Sequence, residues 1–489
     1  MSDPYQTPRD QTERIEHIRA LHESPTQIVA ALSGGGSFLL ADLLAVPGGS
    51  RTLIEAVVPY SHESISNYIG RIPEQFCCSR TARTLAMTAF HRARNTIRSE
   101  ALRKHGYVDI DRVLARNVDV THEAEDFSES AIIRAIDFVE PKSLSDIDPY
   151  QHIIGIGCTA ALVTDREKMG DHRIHVAVQT LYQTILFSLR LQKGARTRWE
   201  EERLVADLIF NAIDTVRQET DRYLSAPPLP SGGAGRLPPA LIEGSSTDYP
   251  LFERIPLSLK PGEAVQGERV VASPLLVDLF FGKLAAVLWT NEGIRRSIAR
   301  DEMISESPPL TPYAESTHAV FSGSFSPIHQ GHLAMIKIAE ERLQRPVALE
   351  ISVQNVDKPP FDYIELEHRL TRIAQMKPHQ AVWLTQTPSF VEKSELFQGA
   401  TFVVGADTIK RTADLRFYFE NVHRLHDILR TIAHYNCRFL VFARQSKYGL
   451  ESLDTLSIPD MLRSLCDHVP PSVFTMDISS SDFRRTETH

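Results

Sequence analysis

The chain has 489 residues, of which 42% are hydrophobic and 24% charged, with a net charge of −9. At roughly 150 residues per domain this is two or three domains of ordinary globular composition. The acidic balance argues against a general nucleic-acid binder. Five cysteines (Cys77, Cys78, Cys158, Cys437, Cys466) without metal-ligand spacing read as reduced, buried thiols.

The first 17 residues are polar and carry no apolar targeting core. The most apolar stretch, Pro274 to Trp289, is too short to span a bilayer. A cytoplasmic protein with no membrane partner is expected. Thr26 to Leu32 predicts a strand, ending in Ser33-Gly-Gly-Gly36. A helix over 38–46 and a strand over 52–60 follow. Arg80 to His105 and Thr197 to Leu224 have helical periodicity, and Arg173 to Gln179 alternates like a strand. This N-terminal region, 1–225, reads as an α/β domain.

Residues 225–240 and 305–317 are rich in Pro, Gly and Ser and read as breaks. They bracket a Pro/Gly-rich linker and small middle segment, 226–316. Within it, Leu275 to Trp289 fits a hairpin turning at Phe281-Gly-Lys or a buried helix, and periodicity leaves both open.

The C-terminal region, 317–489, alternates strand and helix. Strands are expected at His318–Gly323, Val347–Val353, Ala381–Thr385, Thr401–Gly405, Phe439–Ala443 and Val473–Ile478. Helices are expected at Leu333–Leu343 and Ile364–Met376. Such alternation predicts a doubly wound parallel sheet that binds ligands at its strand carboxyl ends.

Four segments fall at those ends. The first is Phe321-Ser-Gly-Ser-Phe-Ser-Pro-Ile-His-Gln-Gly-His-Leu333. Gly323 permits close backbone approach, and the following helix offers free N–H groups to an anion. Ser324 and Phe325 lie in the turn. His329 and His332 are three residues apart and can face one ligand. The second, Ile478-Ser-Ser-Ser-Asp-Phe-Arg-Arg485, offers the hydroxyls of Ser479, Ser480 and Ser481 and the planar fork of Arg484. The third is the strand ending in Gly405-Ala-Asp407, where Asp407 serves equally well as a helix cap. In the fourth, Ser352 to Pro360, Asn355 and Lys358 are candidate acceptor-phosphate ligands, with a plain solvated loop as the alternative.

The first two segments resemble, in order, the two signatures of the HxGH nucleotidylyltransferase superfamily. The resemblance implies a Rossmann-like fold. It also implies that His329 and His332 contact a triphosphate and stabilise departing pyrophosphate, with Arg484 as a third catalytic group. Gly405 and Asp407 resemble the family's ribose-contacting segment. The wording Asn355-Val-Asp-Lys-Pro resembles adenylyltransferases acting on nicotinamide or nicotinate mononucleotide. The expected activity is Mg²⁺-dependent transfer of a nucleotidyl, preferentially adenylyl, group from an NTP to such a phosphate acceptor. Cytidylyl transfer to a phosphorylated alcohol, and a non-catalytic nucleotide-binding regulator, are the alternatives. Small-molecule nucleotides are the expected partners, and homo-oligomerisation is left open. No protein metal ligand is assigned.

Residues 31–36, 46–51 and 58–61 resemble the CinA C-terminal family, which includes nicotinamide-nucleotide amidases. The family's Glu-Ser-Cys-Thr-Gly-Gly corresponds to Ala31-Leu-Ser-Gly-Gly-Gly36, and its Tyr-Ser-x-x-x-Lys to Tyr60-Ser-His-Glu-Ser-Ile65. The glutamate, first serine and lysine are therefore missing. A separate CinA-like domain without deamidase activity is expected, with Ser33, Tyr60 and Thr159 as remaining hydroxyls.

Overall fold

The expected N-terminal strand forms at Gln27–Ser33 (β1), after a helix at Pro8–Glu23 (α1). The computed structural model describes residues 8–104, 150–166, 169–225, 242–246, 249–300, 319–354, 361–414, 416, 422–446 and 449–474. Two compact units divide the chain, one of residues 1–229 and 246–269, the other of residues 230–245 and 270–489.

In the first unit, β1 leads into α2 (Ser37–Ala45), α3 (Gly49–Thr52), β2 (Leu53–Val57), α4 (His62–Ile69) and the long α5 (Ser79–Lys104). Then come β3 (Ile153–Ala161), β4 (His172–Gln179), β5 (Gln183–Leu191) and α6 (Arg198–Ser225). β1 is parallel to both β2 and β3, whereas β3, β4 and β5 pair antiparallel. β6 (Ile242–Ser246) and β7 (Gln266–Ala272) follow in the chain, and within the first unit the sheet order is β2-β1-β3-β4-β5-β7. Leu21, Leu39, Leu43, Ile209 and Ile213 bury one face against Ile156, Val176 and Phe187. Ala31 packs with Ile65, Ile69 and Leu85. Burial of this apolar surface, at about 25 cal/mol per Å², stabilises the three-layer arrangement.

The segment from 270 to 300 is not a separate body. Ser273 caps α7 (Pro274–Phe281) by accepting the Leu276 N–H at 3.3 Å. A turn at Gly282 then leads to β8 (Leu284–Thr290) and β9 (Gly293–Ala299). The stretch read as hairpin or helix is thus a helix followed by a strand. The change was hidden because only Gly282 and Lys283 separate a largely apolar eight-residue helix from a largely apolar seven-residue strand.

The second unit continues with β10 (Ala319–Ser322), α8 (Gln330–Leu343), β11 (Ala348–Ser352), α9 (Tyr363–Met376), β12 (Val382–Thr385) and α10 (Phe390–Leu396). β13 (Thr401–Gly405), α11 (Ala406–Thr412), α12 (Val422–His434) and β14 (Arg438–Phe442) follow. A small hairpin, β15 (Arg444–Ser446) and β16 (Gly449–Glu451), precedes α13 (Asp460–Ser464) and β17 (Cys466–Val469). The sheet order is β17-β14-β13-β10-β11-β12-β8-β9. From β17 to β12 every pairing is parallel, while β8 and β9 add antiparallel strands at the β12 edge. The Rossmann-like expectation holds, with two further strands recruited from the middle segment.

The expected strand Val473–Ile478 is described only at its first two residues. Val473 and Phe474 lie in a turn, and the last described strand is β17. Pro470 and Pro471 follow Val469 directly and cannot donate to a ladder, so pairing ends there. Residues 475–478 lie outside the described residues.

Candidate nucleotide site at the switch point

The chain leaves β10 for β11 and β12 on one side and returns to β13, β14 and β17 on the other. The reversal puts a crevice at the carboxyl ends of β10 and β13, where open α/β sheets bind ligands. Of the expected site residues, Gly323, Ser324, Phe325, His329, His332, Gly405 and Asp407 belong to segments that converge there.

Gly323 continues β10, its N–H donating to the Glu350 carbonyl at 3.0 Å. A Cβ on Gly323 would stand 2.9 Å from the Phe325 ring, so the position needs glycine. Phe325 is 1% exposed and has φ 43°, in the left-handed region. For a bulky residue that conformation costs on the order of 1–3 kcal/mol and persists only where its surroundings over-determine it. Here they do. The Arg369 guanidinium donates to the Ser324 carbonyl at 2.6 Å, and the Ser326 hydroxyl donates to Glu365 at 3.2 Å. The Ser326–Pro327 peptide is cis.

His329 is the N-cap of α8. Its backbone N–H donates to Nδ1 of His332 at 3.2 Å, and the two rings stack with centroids 3.7 Å apart. Phe325 meets His332 edge-on at 5.2 Å. Burial of the His332 ring, with a contribution from His329, pushes its pKa down to about 3. Burial also lowers that of His329, assisted by the Arg444 guanidinium. Both imidazoles are therefore neutral at pH 7. With Nδ1 of His332 accepting, its proton sits on Nε2, and the ring works as a hydrogen-bond donor rather than a cation.

The fixed positive charge comes from a residue that sequence reasoning missed. Arg444, just past β14, donates to Asp407 Oδ2 at 2.9 Å. Both side chains remain partly exposed. Gly405 and Asp407 sit at the end of β13, where a Cβ on Gly405 would lie 2.7 Å from Asp407 Oδ1. Asp407 is in the first turn of α11, but the N-cap is Gly405 and no side chain caps the helix, so the cap reading does not hold. The available signal for Arg444 was a basic residue directly after the apolar run Phe439 to Ala443.

On the opposite flank, Lys393 donates to Glu350 at 2.8 Å and to the Thr387 carbonyl at 2.6 Å. Thr385 donates to the same Glu350 oxygen at 2.6 Å. Lys393 and Glu350 form a buried ion pair beneath the Gly323 strand end. Asn355, Lys358, Ser479, Ser480, Ser481 and Arg484 lie outside the described residues.

In the first unit, Ser33 and Thr159 are register partners at the carboxyl ends of β1 and β3. Thr159 is buried and donates to the Cys78 carbonyl at 3.3 Å, whereas Tyr60 is exposed. The Gly-rich loop is already occupied. Glu202 of α6 accepts from the Gly36 N–H at 2.7 Å and the Ser37 N–H at 3.3 Å. Its other oxygen takes Arg198 at 2.9 Å, and Arg198 also donates to the Gly34 carbonyl at 3.0 Å. All five cysteines are free, Cys158 and Cys437 fully buried and the others half-buried.

The second unit thus sets two paired histidines at a strand-to-helix junction over the switch point of a doubly wound sheet. Residues 320–486 match the family described as cytidylyltransferase-like. Among curated proteins none matches this chain. Among the solved structures that match is one described as competence/damage inducible protein CihA from Agrobacterium tumefaciens. It is 11% identical over 44% of this chain and 94% of that chain, with a TM-score of 0.23. A likeness of that size carries no argument. No described helix is long and apolar enough to cross a membrane.

Proposed function

We propose that the second unit transfers a nucleotidyl group from an NTP to a phosphate-bearing acceptor and releases pyrophosphate. The observation that carries this is the stacked His329–His332 pair at the β10–α8 junction, with Arg444 beside it. The triphosphate would lie across the α8 N-terminus. The His332 Nε2–H would donate to it, and the Arg444 guanidinium would offset its charge. An acceptor phosphate monoester has its second pKa near about 6, so it attacks already ionised and needs no general base. Positioning and charge neutralisation then supply the rate enhancement.

Mg²⁺ would ride on the phosphate oxygens and offset their charge. Among the described residues no cluster of three or more His, Cys, Asp or Glu could hold a metal. Asp407 is engaged by Arg444. Adenylyl transfer to nicotinamide or nicotinate mononucleotide is the favoured chemistry, on the wording Asn355 to Pro359. Cytidylyl transfer to a phosphorylated alcohol is the second reading, favoured by the family match. The first unit is read as CinA-like without deamidase chemistry, its Gly-rich loop closed by Glu202.

The test is pyrophosphate release from ATP or CTP with Mg²⁺ and each acceptor class. Turnover with a mononucleotide and ATP supports the first reading, and turnover with CTP and a phosphorylated alcohol the second. No release from any pair, or an undiminished rate in His332→Ala, defeats the proposal.

A further inference from the structure

We propose that Arg369 is a positioning residue of the triphosphate site, acting through Phe325 to hold the His332 ring. This rests on the nucleotidyltransferase reading of the second unit.

Arg369 lies in the second turn of α9 and is only 7% exposed. Its Nη1 donates to the Ser324 carbonyl at 2.6 Å. Its Nη2 and Nε donate to Glu365 Oε1 at 2.7 and 3.0 Å, and the Ser326 hydroxyl donates to that same oxygen at 3.2 Å. The guanidinium also lies 3.9 Å from the centroid of the Phe361 ring. At the start of the helix, Asp362 accepts the Glu365 N–H at 2.9 Å, anchoring the turn that carries the carboxylate.

One ion pair on one helical face therefore grips both neighbours of Phe325. Ser324 is held by its carbonyl and Ser326 by its hydroxyl. Phe325 between them is forced to φ 43°. In that conformation its ring covers Gly323 and meets both Phe321 and His332 edge-on at 5.2 Å. His332 in turn stacks on His329 at 3.7 Å. The chain of contact runs Glu365, Arg369, the 324–326 turn, Phe325, His332.

A merely helix-stabilising role would need only the (i, i+4) pair, which an exposed face supplies equally well. It would not need a buried guanidinium reaching 45 residues back to the motif turn. Arginine suits this task because its planar fork serves a carboxylate and a carbonyl at once, which a lysine ammonium cannot do with the same geometry.

The experiment uses the full chain and the variants Arg369→Met, Arg369→Lys, Phe325→Leu and the double Arg369→Met/Phe325→Leu. Melting temperature is followed alongside pyrophosphate release with the NTP and acceptor that the wild type uses. Arg369→Met is expected to lower kcat by on the order of tenfold to a hundredfold, the size of a small misplacement of catalytic groups. The acceptor KM should stay within about twofold. Arg369→Lys should recover part of the loss. Because both substitutions act on one chain of contacts, the double variant should be no slower than the slower single. Losses that multiply, or a kcat in Arg369→Met within about twofold of wild type, overturn the proposal.

A second readout does not depend on turnover. Imidazole ¹⁵N signals should show His332 as a single Nε2–H tautomer in the wild type and as a mixture in Arg369→Met. One unchanged tautomer in both also overturns the proposal. A wild type that releases no pyrophosphate defeats the functional reading, and the tautomer comparison still decides the role of Arg369. If Arg369→Met does not fold, Glu365→Gln, which keeps the arginine but removes its anchoring charge, replaces it in every arm.

Discussion

The backbone N–H of His329 donates to Nδ1 of His332 at 3.2 Å, which decides where that imidazole carries its proton. His332 is thereby a donor through Nε2, and its own helix supplies the restraint. His332→Ala should reduce kcat by roughly a hundredfold to a thousandfold, the usual cost of losing one donor to developing oxyanion charge. His332→Asn can donate without titrating and should retain more activity than alanine. Steady-state pyrophosphate release distinguishes the two, and equal rates would contradict a donor role.

Stability should fall on the acid side. The folded His332 pKa is about 3, well below the usual 6.5. As pH drops below 6.5, the unfolded chain takes up a proton that the folded chain refuses. The contribution is therefore fully present above 6.5 and is lost as pH falls toward 3. A urea midpoint for the second unit lower at about pH 5 than at about pH 7, with the gap narrowed in His332→Asn, is the expected outcome.

Arg444 supplies charge rather than stability. Its pair with Asp407 is partly exposed, so it should contribute about 0–1 kcal/mol. Arg444→Met should leave the melting temperature nearly unchanged while raising the NTP KM. It should also move the His329 pKa up toward its ordinary value, because one depressing charge is gone. Histidine titration by NMR and NTP saturation curves measure both effects.

Lys393 and Glu350 behave differently because both are buried. Lys393→Met strands a buried carboxylate and should destabilise the second unit by about 3–5 kcal/mol. Adding Glu350→Gln removes the stranded charge and should recover much of that loss. Denaturant unfolding of the two variants checks the order.

In the first unit, Glu202→Ala removes the acceptor of the Gly36 and Ser37 amides and of Arg198. A loss of about 1–3 kcal/mol is expected, with Glu202→Gln losing less. A phosphate-dependent rise in melting temperature in the alanine variant but not the wild type would show that the loop takes an external anion once emptied.

Much of the second unit was legible in the sequence. The strand Thr401–Gly405 and the carboxyl ends of helices α8 and α9, at Leu343 and Met376, follow from apolar periodicity. The histidine pair was visible because glycines, a strand and a helix coincide around it. Arg444 and Arg369 were not, since a single arginine after a strand or on a helix resembles any surface charge until the fold brings its partner near. β17 was missed because Cys466-Asp-His-Val469 has little β-propensity, and its place comes from pairing with β14. In the first unit the glycines marked the loop correctly, but nothing in one dimension pairs Gly36 with Glu202, 166 positions away.

The strands β8 and β9 lie upstream of the family match, yet they close the sheet along β12. An expression fragment begun near residue 317 would bare the hydrogen-bonding groups of Val382 to Thr385. It would offer them to the next copy of itself, an invitation to aggregate. A fragment begun before Ser273 keeps that edge covered and is the better choice for work on the isolated unit.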